Sequence, residues 1–172
     1  MKSSQAHLNS SQKYIVLVAH QAGAHFFSKA KLSSPCKIIE SVEHTAGRLK
    51  NQEINADRPG RSRDRFGGAK HSYSKEFGPS AQKAKEFSKI LIQILDVQFK
   101  KGGFDRVVLV APAHFLGLLN AKLTKQLKEA CDATFSKDFA EMKPRDIGLR
   151  VDALTETLAP LYKNLPLSRT AR

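Results

Sequence analysis

The order of hydrophobic and polar positions in the first third of the chain predicts three strands. Residues 14–19 form an almost continuous apolar run, which is typical of a strand buried on both faces. The turn residues 21–23 follow, and residues 24–30 are expected to return as the second strand of a hairpin. After another turn, residues 36–43 alternate apolar and polar positions. The pattern therefore predicts an antiparallel meander.

Helical and strand-like segments alternate in the second half of the chain. Apolar residues recur at helical spacing over residues 79–100, and the glycines at 102–103 end this predicted helix after two lysines. The further predicted elements are a buried strand over 106–111, a helix over 113–130, a fifth strand that includes 134–136, and a helix over 145–162 that Pro160 ends or kinks.

The order of these elements, β-β-β-α-β-α-β-α, predicts an α/β fold. Three antiparallel strands followed by two strands with helical crossovers give a mixed five-stranded sheet with helices on its faces. This succession is that of a ribonuclease H-like domain.

The length and the composition indicate one domain, over residues 14–162. We expect a flexible basic N-terminus over residues 1–13, a basic C-terminal tail over 163–172, a short helix over 47–53 and a long polar loop over 55–77. A loop of this length inside a compact domain is usually functional or disordered.

The charge of the chain predicts attraction to polyanions. There are 29 Lys and Arg residues against 16 acids, which gives a net charge of +13. Residues 1–39 contain five lysines and no acid, one of the lysines being Lys29. The two cysteines, Cys36 and Cys131, form no CxxC pattern, which argues against zinc and against a disulfide scaffold. With no apolar run long enough for a signal sequence or a membrane span, a cytoplasmic location is expected.

Arginine and glycine are concentrated in residues 57–71, which read DRPGRSRDRFGGAKH. Guanidinium groups fit phosphate oxygens in two-point contacts, and glycines allow backbone N–H groups to approach an anion. Phe66 and His71 are able to stack on bases. The candidate nucleic-acid-binding residues are Arg58, Arg61, Arg63, Arg65, Gly67, Gly68, Lys70 and His71. The alternative is a solvated basic loop.

Catalytic carboxylates are missing where a metal-dependent nuclease of this architecture needs them. Neither the first strand nor the end of the fourth strand carries an acid, so no metal, cofactor or catalytic residue is expected. Ligands bind at the carboxyl ends of strands in α/β folds, so His114, with Asn120, marks a candidate ligand site there. The alternative for His114 is a structural role at the start of a helix.

Four segments resemble the bacterial host attachment protein family. They are DRPGR at residues 57–61, VVLVAPAHFLGLLNAKL at 107–123, Lys137-Asp138, and VLVAHQAGAHFF at 16–27. The resemblance covers the chain from Tyr14 to about residue 161. The family often has Asp where His20 stands and Arg where Asn120 stands.

That family is similar in turn to the middle domain of archaeal and eukaryotic class-1 peptide-release factors, which has a ribonuclease H-like fold. In those factors a Gly-Gly-Gln loop before the long helix reaches the peptidyl-transferase centre. Gly67-Gly68-Ala69 holds the comparable place here, and a methyl group cannot position a hydrolytic water. The resemblance therefore implies RNA or ribosome binding without peptide release.

Three functions follow as hypotheses. The first is a non-enzymatic RNA- or ribosome-associated protein that binds through the Arg/Gly loop. The second is a hydrolase acting on a phosphoester or peptidyl-tRNA bond. The third, implied by the family name, is a part in attachment to host cells, which we expect to be indirect, through regulation or translation.

Overall fold

The computed structural model describes residues 12–45 and 79–160. The predicted helix at 47–53, the long loop over 55–77 and both basic termini lie wholly or largely outside these ranges. The structure therefore tests the predicted strands and the helices that follow the loop.

Five strands form a mixed sheet in the described residues, as the pattern predicts. The strands are β1 Tyr14–His20, β2 Gly23–Lys29, β3 Lys37–Glu43, β4 Arg106–Ala111 and β5 Cys131–Ser136. Their spatial order is β3-β2-β1-β4-β5. The β1–β2 and β2–β3 pairs are antiparallel, while β4 runs parallel to both β1 and β5. The α/β class is confirmed, and the ribonuclease H-like assignment stays a prediction.

Four helices accompany the sheet in the described ranges. They are α1 Pro79–Gly102, α2 Ala113–Lys122, α3 Lys125–Ala130 and α4 Pro144–Glu156. The end of α1 follows the predicted glycine pair: Gly103 has φ 59°, and the N–H of Phe104 donates to the carbonyl of Phe99 at 3.4 Å. A glycine in the left-handed conformation, followed by a hydrogen bond that spans five residues, is a Schellman motif. It satisfies the carbonyl of Phe99 in the last turn of the helix.

The prediction of one helix over residues 113–130 is wrong. Leu123 adopts an extended conformation with ψ 133°, and the Thr124 hydroxyl accepts a hydrogen bond from the N–H of Leu127 at 3.3 Å. Thr124 is therefore the N-cap of a new helix, since its side chain replaces an intrahelical acceptor. The apolar stripe continues across the break, because Leu119 and Leu127 are both fully buried.

The last helix is shorter than predicted. It ends at Glu156, where the N–H of Leu158 donates to the carbonyl of Thr155 at 3.1 Å, and residues 159–160 are helical again. Pro160 has no N–H with which to continue a regular ladder, so an interruption just before it is expected. The predicted end at residue 162 lies outside the described residues.

The alternation of side chains along the strands divides the core between two faces of the sheet. Ile15 and Leu17 of β1 pack with α1, α2 and α3 on one face. Val16 and Val18 pack with Ile147 and neighbouring residues of α4 on the other. Since every β1 side chain from residue 14 to residue 19 is buried, the apolar run in the sequence reflects a central strand.

Candidate functional site

One edge of the sheet, which we call the carboxyl edge, gathers the ends of four strands. β1 ends at His20 and β4 at Ala111, and these strands are parallel. β3 ends at Glu43, which pairs with Gly23 at the start of β2. The first residues of α2 follow β4 at the same edge. This is the edge at which α/β folds commonly bind ligands.

Two histidines are held by the hairpin turn between β1 and β2. Nδ1 of His20 accepts a hydrogen bond from the N–H of Ala22 at 3.2 Å, so this nitrogen carries no proton. Nδ1 of His44 lies 2.8 Å from the carbonyl oxygen of Gln21, so this nitrogen must donate. The turn therefore holds both half-buried imidazoles, with Nδ1 of His20 as an acceptor and Nδ1 of His44 as a donor.

An aromatic stack joins the carboxyl edge to the helices. The ring of His44 lies on the ring of Phe87 with centroids 4.2 Å apart and planes 7° from parallel. Phe87 in turn contacts Phe115 of α2 at 6.1 Å in a tilted arrangement. The His44 side chain therefore connects the end of β3 to α1 and, through Phe87, to α2. Sequence reasoning did not single out His44, although its place directly after a predicted strand was a usable signal.

His114 and Asn120 occupy opposite ends of α2. His114 is the second residue of the helix and is exposed, while Asn120 lies in its last turn and is half-buried. Six residues correspond to about 9 Å along a helix axis, so the two side chains do not share a turn. Within the described residues, neither side chain makes a hydrogen bond. His114 lies at the carboxyl edge, Asn120 lies in the last turn of α2, and a ligand site at these two residues stays a prediction.

The eight candidate residues of the Arg/Gly-rich segment lie outside the described residues. They are Arg58, Arg61, Arg63, Arg65, Gly67, Gly68, Lys70 and His71. The described ends of the intervening chain are Thr45, directly after the anchored His44, and Pro79, the first residue of α1. The far end of α1 lies at the opposite edge, where Lys13 Nζ donates to the Gly102 carbonyl at 3.0 Å. The two described residues that flank this part of the chain, Thr45 and Pro79, therefore both lie towards the carboxyl edge.

The two helical layers differ in charge. α1, α2 and α3 together carry eight lysines and three acids, a net charge of +5. α4, on the other face of the sheet, carries two arginines and three acids, a net charge of −1. Seven of the eight lysines are exposed, Lys83 being half-buried. We call the layer of α1, α2 and α3 the basic layer.

The described residues contain neither a cluster arranged to bind a metal ion nor a helix able to span a membrane. No group of three or more His, Cys, Asp or Glu side chains in residues 12–45 and 79–160 is arranged to hold a metal ion. No helix in the described part of the chain is long and apolar enough to cross a membrane. The two cysteines are free and half-buried.

A family model described as "protein required for attachment to host cells" matches residues 15–151. The chain belongs to this family. The match includes β1 from Ile15 onwards, the other four strands and α1 to α3, together with the hairpin turn and His114 at the carboxyl edge. No curated protein matches the sequence of this family member.

Two solved structures are similar to this chain at low sequence identity. The archaeal translation termination factor aRF1 is 14% identical with a TM-score of 0.45, over 90% of this chain and 42% of the factor. Archaeal Pelota, in a model of ribosome-bound Pelota and ABCE1, is 12% identical with a TM-score of 0.49, over 94% of this chain and 36% of the other. This family member therefore spans less than half the length of either structure.

Proposed function

We propose that this family member is a non-enzymatic RNA- or ribosome-associated protein of the cytoplasm. The observation that carries the proposal is the charge difference between the two faces of the sheet, with +5 on the basic layer and −1 on α4. Solubility alone gives no reason for the described helices on the two faces to differ in charge in this way. A polyanion needs such a face, because phosphate contacts with Lys and Arg supply most of its sequence-independent affinity.

The Arg/Gly-rich segment is the proposed second part of the interface. Along the chain it lies between His44, at the carboxyl edge, and α1, which belongs to the basic layer. An arginine guanidinium donates two parallel hydrogen bonds to phosphate oxygens, and Phe66 and His71 offer rings for stacking on unpaired bases. In this proposal, residues 14–162 are the binding domain, and the basic segments 1–13 and 163–172 add charge without specificity.

Binding rather than hydrolysis is proposed, because the residue pattern of the segment favours it. Ala69 follows Gly67-Gly68 and offers only a methyl group. A side chain that orients an attacking water needs a hydrogen-bonding group within reach of that water. The partner is therefore held by charge and stacking, with no bond broken.

The proposal is tested by measuring RNA affinity at several salt concentrations, and by ribosome sedimentation with and without ribonuclease. One variant replaces Arg58, Arg61, Arg63 and Arg65 with Ala. A second replaces four lysines of the basic layer, Lys89, Lys122, Lys125 and Lys128. The matched control removes the same number of cations from the α4 side, with Lys137, Lys143, Arg145 and Arg150 changed to Ala.

Both test variants are expected to bind RNA more weakly and with a shallower dependence on salt. The slope of log affinity against log salt concentration should fall by roughly 0.7 for each phosphate of a single strand that the variant no longer neutralises. The control should keep the wild-type slope. Equal losses of affinity in all three variants, or no binding by the wild type at low salt, would reject the proposal.

A second candidate function comes from family membership, namely a part in attachment to host cells. Under our proposal this part is indirect, through an RNA-dependent process inside the cell. Fractionation of cells that produce the tagged chain separates the two possibilities. Recovery at the cell surface, with attachment restored by protein added from outside, would establish a direct role and overturn the indirect one.

A further inference from the structure

The imidazole of His44 forms an outer aromatic surface at the carboxyl edge. Its ring lies on that of Phe87, with the planes 7° from parallel and the centroids 4.2 Å apart. Phe87 is 2% exposed and belongs to the core, whereas His44 is half-buried. His44 is therefore the outer ring of the pair, and the imidazole face opposite Phe87 points away from the core. We call this face the His44 platform.

Contacts from the hairpin turn and from α1 hold the His44 platform in place. The backbone N–H of His44 donates to the carbonyl of Ala22 at 2.9 Å, and Nδ1 lies 2.8 Å from the carbonyl oxygen of Gln21. Phe87 supports the ring from the side of the core. A side chain that is already fixed loses little conformational entropy when a ligand stacks on it. The platform is therefore organised for binding before any ligand arrives.

A cation of the basic layer lies one helical turn from this stack. Lys83 precedes Phe87 by four residues on α1, so the two side chains are neighbours on one side of the helix. Four residues correspond to about 6 Å along the helix axis. Lys83 is half-buried, and the other seven lysines of the basic layer are exposed. The His44 platform therefore borders the surface that is proposed to hold phosphates.

The acids that adjoin the two rings in sequence do not face the His44 platform. Val42 packs against the core on the α1 side, so strand alternation turns Glu43 to the opposite face of the sheet. The carboxylate of Glu86 accepts a hydrogen bond from Gln82 at 2.9 Å on the exposed side of α1, which turns it away from the stack. Neither carboxylate is therefore directed at an anion beside the platform.

We propose that the His44 platform stacks on one unpaired base of an RNA strand whose phosphates lie on the basic layer. Histidine is one of the side chains on which proteins stack unpaired RNA bases. A base inside a duplex is covered on both faces by its neighbours, so only an unpaired base fits. The inference rests on the proposed function and adds to it the position that distinguishes bases from phosphates.

The test compares the affinities for two strands of equal length and charge. One is a single-stranded RNA oligonucleotide, and the other is the same oligonucleotide with its bases removed. The wild type is expected to bind the intact strand at least roughly tenfold more tightly than the abasic strand, because stacking on one ring contributes about that factor. Phe66 and His71 are also proposed to stack on bases, so the change in this ratio between variants is the decisive measurement.

Two variants of His44 separate stacking from anchoring of the hairpin turn. His44→Gln keeps a donor for the Gln21 carbonyl but has no ring. It should lower the ratio roughly tenfold and leave both the affinity for the abasic strand and the salt dependence unchanged. His44→Phe keeps a ring but has no donor, and it should retain the ratio. A purely structural role of the hydrogen bond predicts the reverse order of the two variants.

The matched control is His25→Gln. His25 is also a half-buried histidine with a hydrogen bond at Nδ1, but it shares a face of β2 with Phe27, on the α4 side of the sheet. This variant should keep the wild-type ratio. The fluorescence of 2-aminopurine in the intact strand gives a second readout, since stacking on a ring quenches it. The wild type and His44→Phe should quench this fluorescence more strongly than His44→Gln does.

The possible failures of the inference and of the proposed function are distinguishable. A His44→Gln protein with the wild-type ratio and the wild-type quenching overturns the platform, while salt-dependent binding of both strands leaves the proposed function standing. Absence of binding to either strand at low salt rejects the proposed function, and the platform with it. Circular dichroism and urea unfolding of each variant confirm that the fold is retained.

Discussion

The ammonium nitrogen of Lys29 lies 2.6 Å from Oδ1 of Asp152, and the lysine side chain is completely buried. Nζ also donates to the hydroxyl of Thr155 at 2.7 Å. The same carboxylate oxygen accepts from the N–H of Cys36. β2, the segment before β3 and α4 therefore meet at one ion pair. Burying such an ion pair costs desolvation free energy. Its main consequence is that a substitution of one partner alone destabilises the protein, because the other charge is left without its partner.

The two partners differ in exposure, which predicts unequal costs of removing them. Asp152→Ala leaves a buried ammonium without a counter-charge and should lower the free energy of unfolding by about 3–5 kcal/mol. Lys29→Met leaves a carboxylate that is 24% exposed and can be hydrated, so a smaller loss of about 1–3 kcal/mol is expected. Urea unfolding followed by circular dichroism measures both.

The double variant Lys29→Met with Asp152→Ala is the control for this prediction. It removes both charges and should be more stable than Asp152→Ala alone, because no unpaired ammonium remains. An Asp152→Ala protein as stable as Lys29→Met would contradict the burial of the ammonium group.

Lys29 also shows where sequence reasoning reaches its limit. In the sequence it is one of five lysines in an acid-free N-terminal segment, and it adds to an expected basic surface. In the structure its charge is inside the protein and is balanced by an aspartate 123 residues later. Strand alternation predicts that position 29 shares a face with Phe27, but no local pattern reveals the distant partner.

The strands were predictable because their signals are local, and the site was predictable only in part. The continuous apolar run of β1 and the glycine pair after α1 determine those elements within a few residues. The break at Leu123 was not predictable from periodicity, because the leucine stripe continues through it. His44 was missed for a similar reason: its hydrogen-bond partner, Gln21, is 23 residues away across the hairpin.

Thr124 is expected to control the start of α3. With only six residues, this helix has little stability of its own, so the loss of the hydroxyl acceptor in Thr124→Ala should cost about 1 kcal/mol. Thr124→Ser keeps the acceptor and should cost much less. Urea unfolding compares the two, and equal losses would mean that the hydroxyl is not the stabilising group.

Two glycines should respond to alanine in opposite directions. Gly103 has φ 59°, a conformation that costs a residue with a Cβ about 1–2 kcal/mol, so Gly103→Ala should destabilise the protein. Gly117 lies within α2, and a Cβ added there meets nothing within 4 Å. Gly117→Ala should therefore stabilise the protein by up to about 1 kcal/mol. Thermal unfolding temperatures measure both changes, and a rise for Gly103→Ala would contradict its left-handed conformation.

His25 makes stability depend on pH. Burial lowers the pKa of this histidine below its usual value of 6.5 in the folded protein. As pH falls through 6.5, the unfolded chain therefore takes up a proton that the folded protein still resists, and the free energy of unfolding decreases. The neutral His25 side chain therefore costs no stability above pH 6.5. The free energy of unfolding falls as the pH drops from 6.5 to the lower pKa of the folded protein, and below that pKa the loss no longer grows.

His25→Gln should remove this part of the pH dependence. Urea unfolding between neutral pH and about pH 5 provides the measurement, since it spans the pKa of a free imidazole. The variant is expected to lose less stability than the wild type over this interval. A steeper loss in the variant would mean that the folded environment favours the imidazolium form, contrary to the burial of the ring.

Cys36 is expected to react slowly with thiol reagents in the folded protein. Burial raises the pKa of its thiol to about 11, and the neighbouring carboxylate of Asp152 adds to the effect. The Sγ–H also donates to the carbonyl of Gly148 at 3.3 Å, which holds the protonated form. Because the thiolate is the reactive species, an increase from the ordinary value of 9.0 lowers the rate at pH 8 roughly a hundredfold. Iodoacetamide labelling in a Cys131→Ser background measures this rate, with the urea-unfolded protein as the fast reference. Equal rates in the folded and unfolded protein would show that the thiol is freely accessible. They would also contradict the effect of the Asp152 carboxylate on the Cys36 thiol.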